Sequence, residues 1–147
     1  MVGASGTVTS QNLKAIGNAA ADGFVTGVGY STSIDSVENK KFVASFEAAN
    51  KAQPDLYGAD SYGVLFFYKA AVEKAKSTDT DKVRTSMRGL QWATPQGVKT
   101  MRAGDHQAMQ DMYAVKVIGG KFEIVGEVAA AAAIGPDGCT RSSEEPV

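Results

Sequence analysis

Along residues 112–128 apolar and polar positions alternate: Tyr113, Val115 and Val117 are separated by Ala114 and Lys116, and after Gly119-Gly120 the pair Phe122 and Ile124 brackets Glu123. A period of two places one set of side chains on a buried face. The two glycines tolerate the left-handed backbone of a tight turn, so the segment predicts a β-hairpin. Earlier in the chain the period changes. In residues 9–21, Leu13, Ile16 and Ala20 recur at helical spacing behind Thr9 or Ser10, either of which can cap free N–H groups, and Asp22-Gly23 marks the end. Residues 24–30 then mix Val25, Thr26 and Val28 with glycines and predict a buried strand that other backbone can approach closely.

Three further helices are predicted. Asp35 and Glu38 stand at capping-box spacing ahead of a helix with Phe42, Val43, Phe46 and Ala49 on one face, which Gln53-Pro54-Asp55 ends. Residues 60–76 carry Tyr62, Val64, Leu65, Phe66, Phe67, Tyr68, Ala71 and Val72 around most of the helix circumference. That pattern predicts a helix covered on several sides. Beyond Ser77-Thr78-Asp79, Val83, Met87 and Leu90 fall at i, i+4 and i+7 of a fourth helix whose end Gly89 weakens. Residues 93–97 are turn chemistry, 98–101 a brief strand, and 135–147 a loose tail.

This inventory has too few strands for its helices. One glycine-rich strand and a hairpin cannot form a parallel sheet covered on both faces, yet the helix faces demand such a sheet. An incomplete fold is therefore favoured over a self-sufficient small α+β domain. Missing N-terminal sequence or a partner chain would supply the strands, and the chain alone should show an open sheet edge and exposed apolar helix faces.

Charge and motifs exclude more than they assign. Fifteen basic and sixteen acidic side chains are interspersed, giving no field for nucleic acid. The apolar run 128–134 is far short of a membrane span, and residues 1–6 have neither the basic start nor the apolar centre of an export signal. Cys139 has no second cysteine to pair with, and His106 no second histidine, so neither a metal cage nor a histidine-based triad is expected. Gly27-Val28-Gly29-Tyr30 and Gly3-Ala4-Ser5-Gly6 do not extend into a phosphate-binding fingerprint. The expectation is a protein without enzymatic activity, metal or cofactor.

A series of short motifs carries a resemblance. It runs through Val2-Gly3-Ala4-Ser5-Gly6, Asn18-Ala19-Ala20-Ala21-Asp22-Gly23-Phe24-Val25, Asn39-Lys40-Lys41-Phe42-Val43, then Pro54 and Tyr57, and Asp60-Ser61-Tyr62-Gly63. It continues through Ser77-Thr78-Asp79, Thr94-Pro95-Gln96-Gly97, Asp105-His106-Gln107-Ala108 and Gly120-Lys121-Phe122-Glu123-Ile124-Val125. In this order and spacing the chain resembles the C-terminal part of the periplasmic solute-binding proteins of ABC importers, in the branched-chain amino-acid/amide-binding family. The resemblance implies an α/β fold: a portion of a two-lobe, type I Venus-flytrap architecture, incomplete without its N-terminal half. By that likeness residues 1–30 end the second lobe, 31–92 return to the first, 93–128 cross back with the hairpin, and 129–147 are a flexible tail. The hairpin would then share a lobe with the helix at 9–21.

The same resemblance implies a receptor that captures a small polar or amphipathic solute, an amino acid, amide or carboxylate, and hands it to an ABC permease of the inner membrane. Its place would be the periplasm or the anchored outer surface; the alternative is a cytoplasmic sensor on the same fold. Three ligand-binding candidates follow residue by residue. Tyr57 matches a position where the family sets an aromatic ring against the ligand, with plain loop packing equally open. Ser5 stands where amino-acid binders carry a glutamate for the ligand ammonium, and a hydroxyl cannot neutralise that charge. Asp60 could replace the lost charge from the cleft wall, although an N-cap role is favoured.

Overall fold

The computed structural model describes residues 2–3 and 8–136. Helix α1 (Ser10–Ile16) starts where the Thr9 side chain accepts the amide of Asn12. It ends sooner than the sequence pattern predicts, because Gly17 adopts φ 87° and breaks the run; only the single turn α2 (Asn18–Ala21) follows. Strand β2 (Val25–Val28) pairs in parallel with β1 (Val2–Gly3), a strand too short to leave a pattern in the sequence. The predicted hairpin is present as β6 (Met112–Ile118) and β7 (Lys121–Val128), and β6 lies antiparallel to β2, giving the sheet order β1-β2-β6-β7.

A second, smaller sheet of order β3-β4-β5 is antiparallel: β3 (Gln91–Thr94), β4 (Gly97–Met101) and β5 (Ala108–Met109). Pro95-Gln96 makes its first turn, between Thr94 and Gly97. The predicted fourth helix, α5 (Thr80–Met87), stops short of Leu90, since the chain must turn through Gly89 at φ 66° to enter β3. Helix α3 (Val37–Asn50) is capped by Ser36 rather than Asp35, the hydroxyl accepting the amide of Asn39. Helix α4 (Leu56–Ala75) begins four residues before the predicted start, because Asp55 accepts the amide of Gly58 at 2.9 Å and so opens a helix where Pro54-Asp55 reads as a stop. Asp60 is thus not the N-cap.

Two apolar clusters hold the molecule together. Leu13, Ala21 and Phe24 pack with Val117, so the hairpin does share a core with α1. The other end of the hairpin does not follow the expected separation: Tyr113 and Val115 belong to the same cluster as Val28, Tyr30, Ile34, Phe42 and Ala59. The hairpin and α3 are therefore parts of one continuous core. Sheet β1-β2-β6-β7 contains a single parallel pair, and its outer strands are β1 and β7.

Helix α4 inverts the usual arrangement. Its buried residues, Ala59, Gly63, Phe67 and Ala71, form a stripe at four-residue spacing and, Phe67 aside, are small. The bulky side chains point the other way: Val64, Leu65, Phe66 and Tyr68 are all exposed, Leu65 at 69%. The expectation of a helix covered on several sides is met in part: α3, α5 and β3 pack against it, while Val64, Leu65 and Tyr68 stay more than half exposed among the described residues. Two short segments are tied down beyond β5. Asp111 accepts the amide of Ala130 at 2.8 Å, which starts the single turn α6 (Ala130–Ala133), and Arg102 Nη1 donates to the carbonyl of Gly135.

Candidate functional site

A crevice of about 600 Å³ opens among the described residues where four parts of the chain meet, a size that suits a small-molecule ligand. Its floor is apolar, with Leu13 of α1, Val28 of β2 and Val115 of β6. Its rim is polar. Thr9 and Lys14 come from α1, Ser31 and Ser33 from the loop after β2, Asp55 from the turn before α4, and Lys121 and Glu123 from β7. Both charge signs are present on the rim, so the crevice offers hydroxyl, ammonium and carboxylate groups around an oily centre.

The loop at 31–34 is shaped by one buried amide. Asn39 Nδ2, in the first turn of α3, donates to the carbonyls of Ser31, Thr32 and Ile34 at 3.4, 3.1 and 2.9 Å. Ser31 Oγ in turn accepts the amide of Ser33, and Ser33 Oγ donates to the carbonyl of Phe122, closing the loop onto the hairpin. Tyr30 also lines the crevice, yet its hydroxyl is buried without a hydrogen-bond partner among the described residues. Burial first, then the carboxylates of Asp55 and Glu47, push its ionisation well above the ordinary phenol value.

The sequence-derived candidates divide. Ser5 lies outside the described residues, although Val8 and Thr9 after it line the crevice. Tyr57, second residue of α4 and 58% exposed, is not among the described lining residues, and neither is Asp60. Asp60 faces the β3–β4 turn instead: its Oδ1 accepts Gln96 Nε2 at 2.8 Å and Lys99 Nζ at 3.1 Å. The Lys99 side chain is only 9% exposed, so this carboxylate neutralises a nearly buried cation. Sequence reasoning did not reach Tyr30, Ser31 or Asn39, since hydroxyl and amide residues around a strand end read as ordinary turn chemistry. Among the described residues no three His, Cys, Asp or Glu side chains gather as a metal site would require, and no helix is long and apolar enough to cross a membrane. His106 sits at φ 56° in the turn after β4, its amide bonded to the carbonyl of Arg102.

A family model described as periplasmic binding protein matches residues 1–121. The chain belongs to the periplasmic binding protein family. Its fold is accordingly part of the type I periplasmic binding protein architecture, and the members it resembles in solved structures are solute-binding proteins of ABC transporters. One is an ABC-type branched-chain amino acid transporter protein from Rhodopseudomonas palustris CGA009, 30% identical over 87% of this chain and 36% of that one, with a TM-score of 0.73. A second, the solute-binding protein of an R. palustris ABC transporter in complex with benzoate, is 29% identical over 88% of this chain and 36% of its own, TM-score 0.76. A leucine-binding protein from Thermotoga maritima, 18% identical over 87% of this chain and 37% of that chain, shares the fold at a TM-score of 0.75. The chain therefore spans about a third of the length of these relatives. No curated protein sequence matches it.

Proposed function

We propose that this chain is the C-terminal part of the solute-binding receptor of an ABC import system, working in the periplasm or at the outer surface and delivering its solute to an inner-membrane permease. Solute is held between the two lobes of that receptor. The observation that carries this reading is the family match over residues 1–121, joined to 29% identity with a relative that holds benzoate. The crevice beside Tyr30 and Ser31 is a fitting capture surface, because an apolar floor with a hydroxyl-rich rim suits a solute with an oily body and one polar end.

The solute is a carboxylate or amide rather than a zwitterionic amino acid. An ammonium entering a closing cleft needs a carboxylate in place of its water. Position 5 is a serine, and Asp60 is already engaged by Lys99 and Gln96. Isothermal titration of the intact receptor with benzoate, an aliphatic amide and leucine tests this. Leucine should bind at least about tenfold more weakly than the best of the other two, a difference of about 1.4 kcal/mol. Tight leucine binding that survives Asp60→Asn overturns the solute class, and failure to bind any small solute overturns the receptor reading.

A further inference from the structure

One group on the crevice wall has its hydrogen bonding left open. Tyr30 is only 5% exposed, and its hydroxyl has no partner among the described residues. Native interiors leave few such donors unmet, because the cost of taking a hydroxyl out of water is recovered only through a partner. The charges that act on it are of one sign. After burial, the carboxylates of Asp55 and Glu47 hold its ionisation up, so the group keeps its proton and donates. Asp55 stands on the crevice wall itself. Its Oδ1 accepts the amide of Gly58 at 2.9 Å, and an ionised carboxylate has acceptor capacity to spare. The two lysines of the rim, Lys14 and Lys121, come from α1 and β7, whereas Tyr30 follows β2 and Asp55 caps α4.

We infer that the polar end of the solute held in this crevice is a carboxamide, its carbonyl oxygen accepting the Tyr30 hydroxyl and its N–H group donating to the Asp55 carboxylate. An amide presents an acceptor and a donor side by side, the complement of the donor and acceptor that the wall provides. A carboxylate of the same shape has no N–H for Asp55 and brings a second negative charge beside it. Like charges that lose their water in a closing cleft repel strongly, and such repulsion separates two ligands of nearly equal size. The floor of Leu13, Val28 and Val115 then covers the apolar body of the solute. Binding also gives the Tyr30 hydroxyl the partner it lacks, through the kind of side-chain turn that is common when a ligand arrives. Tyr30 and Asp55 are thus specificity-determining residues. The inference narrows the solute class of the receptor reading and rests on that reading.

The test titrates the intact receptor at neutral pH with two isosteric pairs, benzamide against benzoate and isobutyramide against isobutyrate. In the pair that fits the floor, the amide should bind at least about tenfold more tightly than its acid. Asp55→Asn keeps a side chain that caps α4 as well as the parent does. It should lower the preference for the amide at least about fivefold by admitting the acid. Tyr30→Phe keeps the packed ring and should weaken the amide about threefold to tenfold, the worth of one neutral hydrogen bond, while changing the acid less than about twofold. A merely structural role for either residue would shift amide and acid alike. Equal affinities, or a preference that neither variant alters, overturn the inference. So does a preference for the acid, and if Lys14→Met or Lys121→Met removes that preference the polar end sits at the lysines instead. Binding of neither pair also overturns the inference, whereas the receptor reading falls only if leucine is refused as well.

Discussion

Lys99 Nζ lies 3.1 Å from Asp60 Oδ1, joining a nearly buried ammonium on β4 to a half-exposed carboxylate in the second turn of α4. Gln96 Nε2, in the turn before β4, donates to the same oxygen at 2.8 Å, so α4, β4 and the turn meet at one atom. The pair fastens the β3–β4 hairpin to α4.

Removing either partner should have unequal effects. Asp60→Ala leaves the Lys99 charge without its partner and should destabilise the chain by about 1–2 kcal/mol, between the values for exposed and buried pairs because water reaches the carboxylate. Lys99→Met removes the buried charge itself and should cost less. Urea unfolding of both variants measures the difference; equal losses would mean that the pair matters only through packing.

Gly63 brings the same two elements into contact. A Cβ at this position would lie 3.3 Å from Thr94 Cγ2. Gly63→Leu should therefore push α4 off the turn and cost about 1–3 kcal/mol, the usual penalty of overpacking. Quenching of Trp92, whose ring centre is 4.4 Å from that of Phe67 one turn away, should change with it. A variant as stable as the parent with unchanged fluorescence would contradict this contact.

Tyr30 gives a prediction at alkaline pH. Its hydroxyl is buried and has no hydrogen-bond partner among the described residues, and its ionisation is raised above the ordinary value of 10.0 by burial and by Asp55 and Glu47. A group whose folded value is raised favours the folded state fully below the unfolded value and loses that contribution as pH climbs above it. Stability should decline from about pH 10 upward, and Tyr30→Phe should remove that part of the decline. At neutral pH the same variant should be neutral or stabilising by up to about 1 kcal/mol, since an unsatisfied polar atom disappears. Unfolding curves at several pH values check both statements, and a large loss of stability at neutral pH would show that the hydroxyl has a partner.

Asp105 works in the opposite direction. Arg102 binds its carboxylate through Nε at 2.8 Å and through Nη2, lowering its ionisation from the ordinary 3.8 to about 2. A depressed value contributes stability above the unfolded value and loses it as pH falls through the folded one, so the contribution should fade between about pH 4 and pH 2. Asp105→Asn should flatten the acid limb of the stability profile in that window; an unchanged limb would count against the pairing.

What the sequence made legible was local. The hairpin was readable because its alternation is enforced by a buried face that Tyr113, Val115 and Val117 share, and the glycine turn fixes the register. The break at Gly17 was not, because a glycine inside an apolar pattern is compatible with either continuation or termination. Asp55 misled for a related reason: the proline before it ends one helix, while its own carboxylate starts the next. β3 was hidden because Gln91-Trp92-Ala93-Thr94 has no clean alternation and is held by its partner β4. The surplus of helix over sheet was visible in the sequence, and the exposed Val64, Leu65 and Tyr68 of α4 are its physical form. The crevice was least visible, since Leu13, Tyr30, Asp55 and Phe122 are brought together by tertiary contacts that no spacing encodes.

Asn39 has a kinetic consequence. With one side-chain amide held by three carbonyls, the wall formed by Ser31 to Ser33 has its shape before any solute arrives. Arrival then needs no rearrangement of that wall, so related solutes should reach it at similar rates. Discrimination among them would lie in residence time, with the better-matched solute distinguished by how slowly it leaves.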